Sequence, residues 1–173
     1  MNVTLFMAMS LNGLIARPDY REDFLSRQNW DSFLDCARRT GAFIWGRRTH
    51  EKFRRYGRQY FETMNGLRKI VVSTDQKFAL EEGFELAGSP REALARLQGY
   101  TLQEATLAGG SVLNTSFAKE RLIDTVEINV EPVVVGRGIS LFAPGDFDLV
   151  LDLASVRQLS DRLVQLRYRV RKD

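Results

Sequence analysis

The stretch Thr106-Leu107-Ala108-Gly109-Gly110-Ser111-Val112-Leu113 carries the pattern that decides the fold. Its first three residues form a short run typical of a buried strand, and Gly109 and Gly110 follow at once. Residues 111–119 then favour a helix. A buried strand that ends in glycine and leads directly into a helix is typical of a βαβ unit in a parallel sheet.

Similar strand ends occur earlier in the chain. Apolar runs predict strands over residues 3–9, 42–45 and 69–72. The first breaks at the turn signal Asn12-Gly13, the second ends at Gly46, and the third ends at Ser73-Thr74-Asp75. The first run reads as a buried strand and not as a signal peptide. These repeated strand ends predict a largely parallel sheet.

Two more helices are predicted between these strands. Residues 20–29 are polar with scattered aromatic side chains and predict a loop or lid. A helix over residues 90–97 begins with Ser89 as its cap and Pro90 at its first position. The other helix follows the loop, with Asn29 as N-cap and Gly41 as its stop, and its apolar face is formed by Trp30, Phe33, Leu34 and Ala37.

The last third of the chain changes character. Residues 125–135 predict two β stretches around Glu131-Pro132, and residues 149–153 predict another strand. Residues 164–171 alternate between apolar or aromatic and polar side chains, as in a strand with one buried and one wet face. We therefore expect antiparallel strands at the edge of the parallel sheet. The basic side of the last strand favours a charge-protected edge over a nucleic-acid surface.

Length and composition exclude several classes of protein. The 173 residues correspond to a single domain, 1–173. With one Cys and one His, the chain cannot form an intramolecular disulfide or a Cys/His zinc cluster, and no metal site is expected. No apolar run is long enough to cross a membrane. A net charge of +3 fits either an ordinary solvated surface or a phosphate-bearing ligand. We expect a cytoplasmic protein.

The predicted strand ends also suggest a ligand. Parallel sheets bind ligands beyond the carboxyl ends of their strands, where helix N-termini offer free N–H groups to phosphates. The run Gly46-Arg47-Arg48-Thr49-His50-Glu51 lies at one such end, and the Gly-Gly pair lies at another. Glycine allows the backbone to approach a pyrophosphate, and arginine adds fixed positive charge. The set indicates a dinucleotide clamp without the usual Gly-x-Gly-x-x-Gly fingerprint.

Read in order, these segments resemble the dihydrofolate-reductase-like superfamily. The chain is most similar to the reductase domain of bifunctional riboflavin-biosynthesis deaminase-reductases and to their small stand-alone relatives. The matching segments are M-S-L-N-G-L-I-A, G-R-R-T-H-E, I-V-V-S-T, A-G-G-S-V-L and, most specifically, residues 122–142, L-I-D-T-V-E-I-N-V-E-P-V-V-V-G-R-G-I-S-L-F.

The resemblance implies a three-layer α/β fold with a mixed, mostly parallel central sheet, antiparallel C-terminal strands and flanking helices. It also implies NADPH as the hydride donor and Ala8 and Ile15 beside the nicotinamide. The phosphates and the adenosine side would be held by Gly46, Arg47, Arg48, Thr49, Ser73 and Thr74. The Gly109-Gly110 pair would carry a cis peptide next to the cofactor, with Ser111, Val112 and Leu113 opening a helix toward the pyrophosphate.

The substrate side is less well matched. Asn12 stands where relatives commonly carry Asp, and residues 17–29 do not align with the segment that holds the substrate's ribose phosphate. Asp31 is the candidate catalytic and substrate-binding carboxylate, as in folate reductases, and the alternative is an exposed first-turn residue. Tyr20 and Phe24 are further candidate substrate contacts. We expect His50 to be a surface residue on its helix, with a cofactor phosphate as the alternative partner.

The sequence therefore predicts an NADPH-dependent oxidoreductase acting on CH-OH, C=N or CH-NH groups of a small planar heterocycle. The candidate substrates are a riboflavin precursor, dihydrofolate and an unassigned metabolite. A nucleotide- or pterin-binding module without significant turnover is the alternative, because fold alone does not establish activity. We expect a homodimer that takes a small-molecule substrate, without nucleic-acid or membrane partners.

Overall fold

The apolar run near the start of the chain forms β1 (Asn2–Ser10), the strand around which the sheet is assembled. The computed structural model describes residues 1–172. β1 pairs in parallel with β6 (Glu104–Leu107) on one side and with β7 (Thr125–Glu131) on the other. Residues 3–6 are all buried, as expected of a strand with neighbours on both edges and helices on both faces.

The other elements follow the predicted alternation of strands and helices. The strands are β2 (Leu14–Ala16), β3 (Ala42–Gly46), β4 (Arg68–Val72), β5 (Phe84–Ala87), β8 (Ile139–Ser140), β9 (Leu151–Gln158) and β10 (Val164–Val170). The helices are α1 (Gln28–Thr40), α2 (Arg47–Tyr56), α3 (Arg58–Glu62), α4 (Pro90–Gly99) and α5 (Ser111–Lys119).

The main sheet confirms the predicted fold class. Its eight strands run in the order β5-β4-β3-β6-β1-β7-β10-β9. The pairs from β5 to β7 are parallel, whereas β10 runs antiparallel to both β7 and β9. The short strands β2 and β8 form a separate antiparallel pair. The molecule is therefore α/β, with a mostly parallel central sheet and antiparallel C-terminal strands.

Two apolar clusters place helices on opposite faces of the sheet and complete the three layers. One cluster joins strand residues such as Ile44 to Leu97 of α4 and Phe117 of α5. The other joins Phe43 and Trp45 to Phe33 of α1. Phe33, from the predicted apolar face of the helix, and Trp45, from the predicted strand 42–45, are both buried, at 6% and 1% exposure.

Several predicted boundaries are wrong for identifiable reasons. α1 begins at Gln28 with Arg27 at the N-cap, so Asn29 is not the cap. The Asn29 side chain instead donates to the carboxylate of Glu131 across the interior. The second predicted β stretch, after Pro132, is not a strand, and the chain has no regular structure from there to Ile139. Val133 N–H donates to the Glu131 carbonyl within the same segment and not to a neighbouring strand.

The C-terminal strands also differ from their prediction. The last strand, β10, is not at the edge of the sheet, because β9 pairs with its free side. The strand predicted over residues 149–153 begins at Leu151 and continues to Gln158. β9 is mostly exposed, and its large apolar side chains Leu153 and Val156 are 59% and 57% exposed. The charged residues of β10 therefore do not protect an edge.

His50 is fully buried and is not the surface residue that the sequence predicts. Trp45 Nε1 donates to His50 Nδ1 over 3.3 Å, which places the imidazole proton on Nε2, facing the Glu81 carboxylate. The ring centroid of Phe84 lies 4.7 Å from that of His50. The aromatic cluster under α2 surrounds the imidazole. The sequence predicts exposure because histidine is a polar residue, and the aromatic partners come from distant parts of the chain. This burial lowers the pKa of His50, and the charge of Glu81 partly opposes the shift.

The C-terminus of α1 provides a stability test. Gly41 has φ +77°, and a Cβ there would lie 3.1 Å from Leu102 Cδ2. We expect Gly41→Ala to destabilise the protein by about 1–2 kcal/mol, the usual cost of a left-handed conformation for a residue with a side chain. Gly99→Ala, whose Cβ would meet nothing within 4 Å, is the matched control. Urea unfolding compares them, and equal losses would contradict the argument.

The buried imidazole predicts a pH dependence. Its pKa is lowered from 6.5 in the folded state, so the unfolded chain binds more protons as the pH falls. The stability from neutral His50 is complete above pH 6.5 and decreases as the pH drops toward the folded-state pKa. We expect the free energy of unfolding to fall between pH 7.5 and 5 more steeply in the wild type than in His50→Gln, measured by urea titration. Parallel pH profiles would exclude this assignment.

Candidate functional site

The candidate site lies where β1, β3 and β6 reach their carboxyl ends. The Gly46 N–H at the end of β3 donates to the Gly109 carbonyl over 2.8 Å. Ala108 N–H donates to the Ile44 carbonyl over 2.8 Å, so β3 and the segment after β6 stay together beyond the strands. The Gly109-Gly110 peptide is cis, as the resemblance implies. This junction brings two of the predicted cofactor segments into contact.

Two helices begin side by side at this junction. α2 begins after Gly46 and α5 begins after Gly110, and no side chain among residues 1–172 caps either N-terminus. A Cβ on Gly110 would lie 3.6 Å from Thr49 Oγ1, which shows how close the α2 hydroxyl comes to the α5 start. Uncapped N–H groups and two helix dipoles make this an anion-binding position. We call it the helix-start cradle.

The predicted cofactor residues of α5 contribute to the cradle in different ways. Ser111 is buried at its first position, whereas the Val112 side chain is 66% exposed. Leu113 packs into the apolar core, and its Cβ would lie 3.8 Å from a Cβ on Gly46.

The Ser-Thr segment lies at the end of β4, next to β3. Ser73 is buried and its hydroxyl accepts from Asp75 N–H over 3.0 Å, while Thr74 is exposed. Arg47 approaches the same turn, with its Nη1 3.5 Å from Asp75 Oδ2. Arg48 instead donates to the Tyr20 hydroxyl over 2.8 Å. The predicted basic residues are therefore near the cradle but already hold polar partners.

A cavity of about 840 Å³ opens beside the cradle. Its inner end is formed by the predicted nicotinamide contacts Ala8 and Ile15, together with Thr49, Ala108 and Gly110. The cradle and the cavity therefore share Thr49 and Gly110. A ligand that spans both would place its anionic part at the helix starts and its ring in the cavity.

The outer end of the cavity is an aromatic wall, defined as Trp30, Phe53, Tyr56 and Tyr60. Trp30 comes from α1, Phe53 and Tyr56 come from α2, and Tyr60 comes from α3. Gly57, with φ +105°, separates α2 from α3. Only Trp30 was singled out from the sequence. The spacing of Phe53, Tyr56 and Tyr60 fits one helical face and is the signal that could have revealed the wall.

Carboxylates lie at the rim of the same cavity. Asp31 lines it from the first turn of α1 and is exposed to solvent, so the structure accommodates both interpretations of this residue. Glu22 also lines the cavity, and its carboxylate contacts Lys52 Nζ over 2.8 Å. Burial raises the pKa of Tyr56, which therefore remains a protonated phenol.

The remaining predicted substrate contacts lie outside this cavity. The Asn12 side chain donates to the Val135 carbonyl over 2.9 Å and accepts from its N–H over 3.1 Å, which ties the first turn to the segment after β7. Phe24 lines a smaller cavity of about 410 Å³. Tyr20 is exposed and held by Arg48. The structure thus gives Asn12 a structural role and brings only Asp31 of the substrate set to the large cavity.

Among residues 1–172, no three His, Cys, Asp or Glu side chains are grouped as metal ligands. Within the same range, no helix is both long enough and apolar enough to cross a membrane.

Comparison with known proteins agrees with this architecture. The Bacillus subtilis (strain 168) protein YwjB is 29% identical over 167 residues, which is 95% of both chains. A solved protein from Shewanella sp. PV-4 superposes with a TM-score of 0.85 at 24% identity, covering 99% of this chain and all of its own.

The reductase part of a larger enzyme has the same fold. A diaminohydroxyphosphoribosylaminopyrimidine deaminase/5-amino-6-(5-phosphoribosylamino)uracil reductase from Thermotoga maritima superposes with a TM-score of 0.75 at 18% identity. The match covers 98% of this chain and 56% of that enzyme. Residues 1–165 match the family described as the RibD C-terminal domain. The chain therefore belongs to the RibD C-terminal domain family, as its resemblance to riboflavin-biosynthesis reductase domains predicts.

Proposed function

We propose that the protein is an NADPH-dependent reductase that transfers a hydride to a C=N or C=O group of a small planar heterocycle. Family membership supports an oxidoreductase with a reductase-like role related to riboflavin biosynthesis. The observation that carries the proposal is the continuity of the cradle with the cavity through Thr49 and Gly110. An anionic group and a flat ring separated by a short linker match this arrangement.

The residues present fit a phosphate-bearing dinucleotide. The cradle offers the uncapped N–H groups of α2 and α5, and Gly110 leaves room for close approach. Arg47, Arg48 and Thr74 would hold the adenosine side, and Ala8 and Ile15 would contact the nicotinamide. Arg47 would exchange part of its contact with Asp75 for a 2′-phosphate, which is the basis for preferring NADPH over NADH.

The chain's own part in the reaction is positioning. NADPH, when bound, would supply the hydride for the carbon of the C=N or C=O group, and the nitrogen or oxygen would need a proton. Asp31 lies on the rim of the cavity and would deliver that proton or orient a water that does. The apolar inner end, with Ala8 and Ile15 at 8% and 5% exposure, excludes water from the reacting atoms.

Two alternatives have specific support. Dihydrofolate reductase activity is favoured by the placement of Asp31 on α1 at the cavity. A binding module without significant turnover would need no second ligand beside the nicotinamide. The cavity of about 840 Å³ leaves room for one, which favours the reductase.

The exposed edge strand supports a homodimer. β9 has an unpaired edge in the main sheet, and Leu153 and Val156 expose more than half of their surface. An edge with free backbone groups and exposed apolar side chains favours association with another chain. We also propose a cytoplasmic location, because the lone Cys36 is a free buried thiol, which fits a reducing compartment.

Cofactor binding tests the proposal directly. We expect micromolar NADPH binding, weaker NADH binding, and a loss of NADPH affinity of about tenfold or more in Arg47→Ala, because a charged hydrogen bond is removed. Fluorescence titration measures all three. Arg91→Ala, at the start of α4, is the control and should bind NADPH like the wild type. Failure of the wild type to bind either cofactor would rule out the reductase.

Light scattering tests the dimer. We expect a mass about twice 19.8 kDa for the wild type and a shift toward the monomer for Leu153→Lys, because a buried lysine would oppose association. Val134→Lys changes another exposed apolar side chain, 68% exposed and away from β9, and should remain dimeric. A monomeric wild type at micromolar concentration would contradict this assignment.

A further inference from the structure

We propose that Asp75 sets the choice between NADPH and NADH, because its carboxylate opposes the 2′-phosphate of one cofactor and accepts the ribose 2′-hydroxyl of the other. This inference rests on the proposed reductase function and specifies how the same site selects its cofactor. Asp75 is not among the residues that the family resemblance assigns to the cofactor. The consequence is a weak preference for NADPH, with NADH as a usable second cofactor.

Asp75 follows the carboxyl end of β4, next to the start of α2. β4 pairs in parallel with β3, and Val72 at the end of β4 lies opposite Gly46. Parallel sheets bind nucleotides beyond such strand ends, where a carboxylate hydrogen bonds a free ribose 2′-hydroxyl and an arginine accommodates a 2′-phosphate. This chain places one side chain of each kind at the same point, Asp75 and Arg47.

The two side chains are in contact. Arg47 Nη1 lies 3.5 Å from Asp75 Oδ2, and Arg47 is the only ion-pair partner of Asp75 within residues 1–172. Arg47 Nε also lies 3.9 Å from Glu51 Oε1. A 2′-phosphate that binds Arg47 therefore comes close to the Asp75 carboxylate, and the two negative charges repel each other. Asp75 weakens NADPH binding by this repulsion and by occupying the guanidinium.

The local turn holds the Asp75 carboxylate in place. Oδ1 accepts from Lys77 N–H over 3.0 Å, and Asp75 N–H donates to the Ser73 hydroxyl over 3.0 Å. In the described part of the chain, Oδ2 has only the long contact with Arg47, and 49% of the Asp75 side chain is exposed. A ribose hydroxyl can therefore donate to Oδ2 while the turn stays intact. A charged acceptor makes a stronger hydrogen bond than a neutral one, so this contact favours NADH.

The neighbouring cations do not change this argument. Arg48 Nη1 donates to the Tyr20 hydroxyl over 2.8 Å. Lys77 is exposed, and it contacts Asp75 through its backbone N–H. Both cations attract a phosphate whether or not position 75 is charged. They therefore strengthen NADPH binding in the wild type and in a variant at position 75 alike.

Asp75→Asn is the direct test, because it removes the charge and keeps the shape. Its amide oxygen can still accept from Lys77 N–H, so the turn is retained. We expect NADPH to bind about threefold more tightly and NADH about threefold more weakly, so the ratio of their affinities rises about tenfold. These few-fold changes match the strength of half-exposed charge contacts. Fluorescence titration measures both affinities. A purely structural role of Asp75 would shift both in the same direction, because the cofactors share the rest of the adenosine.

A matched pair of ligands isolates the adenosine end. Adenosine 2′,5′-bisphosphate and adenosine 5′-monophosphate differ only in the 2′-phosphate, and neither carries a nicotinamide. Calorimetry should show the same opposite shifts for this pair in Asp75→Asn. At about 0.5 M salt the gain for the bisphosphate should shrink, because exposed charges are screened.

Two control variants remove other carboxylates. Glu51→Gln removes the second carboxylate beside Arg47 and should strengthen NADPH binding slightly without weakening NADH, because Glu51 lies one turn along α2 and not in the turn after β4. Glu120→Gln removes an ion pair with Arg91 at the far end of α5 and should leave both affinities unchanged.

The outcomes separate this inference from the proposed function. If NADPH binds but Asp75→Asn does not raise the ratio of NADPH to NADH affinity, the inference is wrong and the reductase proposal stands. A wild type that prefers NADPH by more than about a hundredfold would also contradict the inference alone. A wild type that binds neither cofactor removes the reductase proposal and this inference together.

Discussion

At the ends of β3 and β6, the backbone of Gly46 is hydrogen bonded to the backbone of Gly109 with no side chain between them. β1 lies against the same point, since a Cβ on Gly109 would stand 2.8 Å from Met7 Sδ. The three strand ends therefore converge here, and the missing side chain of Gly109 leaves room for the side chain of Met7. That approach fixes where α2 and α5 begin, and it opens the cavity at their side. Both the proposed cofactor cradle and the proposed substrate site depend on this contact.

A row of buried polar side chains holds α1 against β7 and β10. Alternate residues of β7 face α1, where Glu127 meets Arg39 over 3.0 Å and Asn129 donates to Asn29 over 2.9 Å. Glu131 then accepts from Asn29, and Gln165 of β10 donates to Asn129 over 3.0 Å. An unpaired buried polar group costs about 1–3 kcal/mol, so these bonds favour a single register of α1 on the sheet. α1 in turn positions Trp30 and Asp31.

The sequence supported the parallel strands and their helices because apolar runs and glycine ends are local signals. The strand ends at Gly46, Ser73 and Gly109 all lie where expected, and α5 spans the predicted residues. Local patterns could not predict which residues contact each other across the fold. Asn29 and His50 look like a cap and a surface residue until Glu131 and the aromatic cluster appear across the fold. The edge position of β9 likewise follows from pairing, which periodicity does not encode.

The candidate site was predictable in part for the same reason. The cofactor segments carry glycine and arginine patterns with a known physical use, and the structure brings the two Gly segments together. The aromatic wall was missed because Gly57 interrupts the helix between Tyr56 and Tyr60, so that one spatial surface is divided between two short elements. The bonds between Asn12 and Val135 could not be predicted, because they span 123 positions along the chain.

The aromatic wall and the glycine junction lie on different segments of the chain, so the wall can change during evolution while the junction is kept. Three of its four rings lie on the α2–α3 excursion between β3 and β4, with Gly57 as a break in the middle. The Gly-Gly segment that helps to form the cradle lies after β6, on a different crossover of the sheet. Insertions or substitutions beyond the break can therefore reshape the ligand-facing surface while the glycine junction stays intact. One scaffold can diversify its chemistry in this way without rebuilding the part that would hold the reductant.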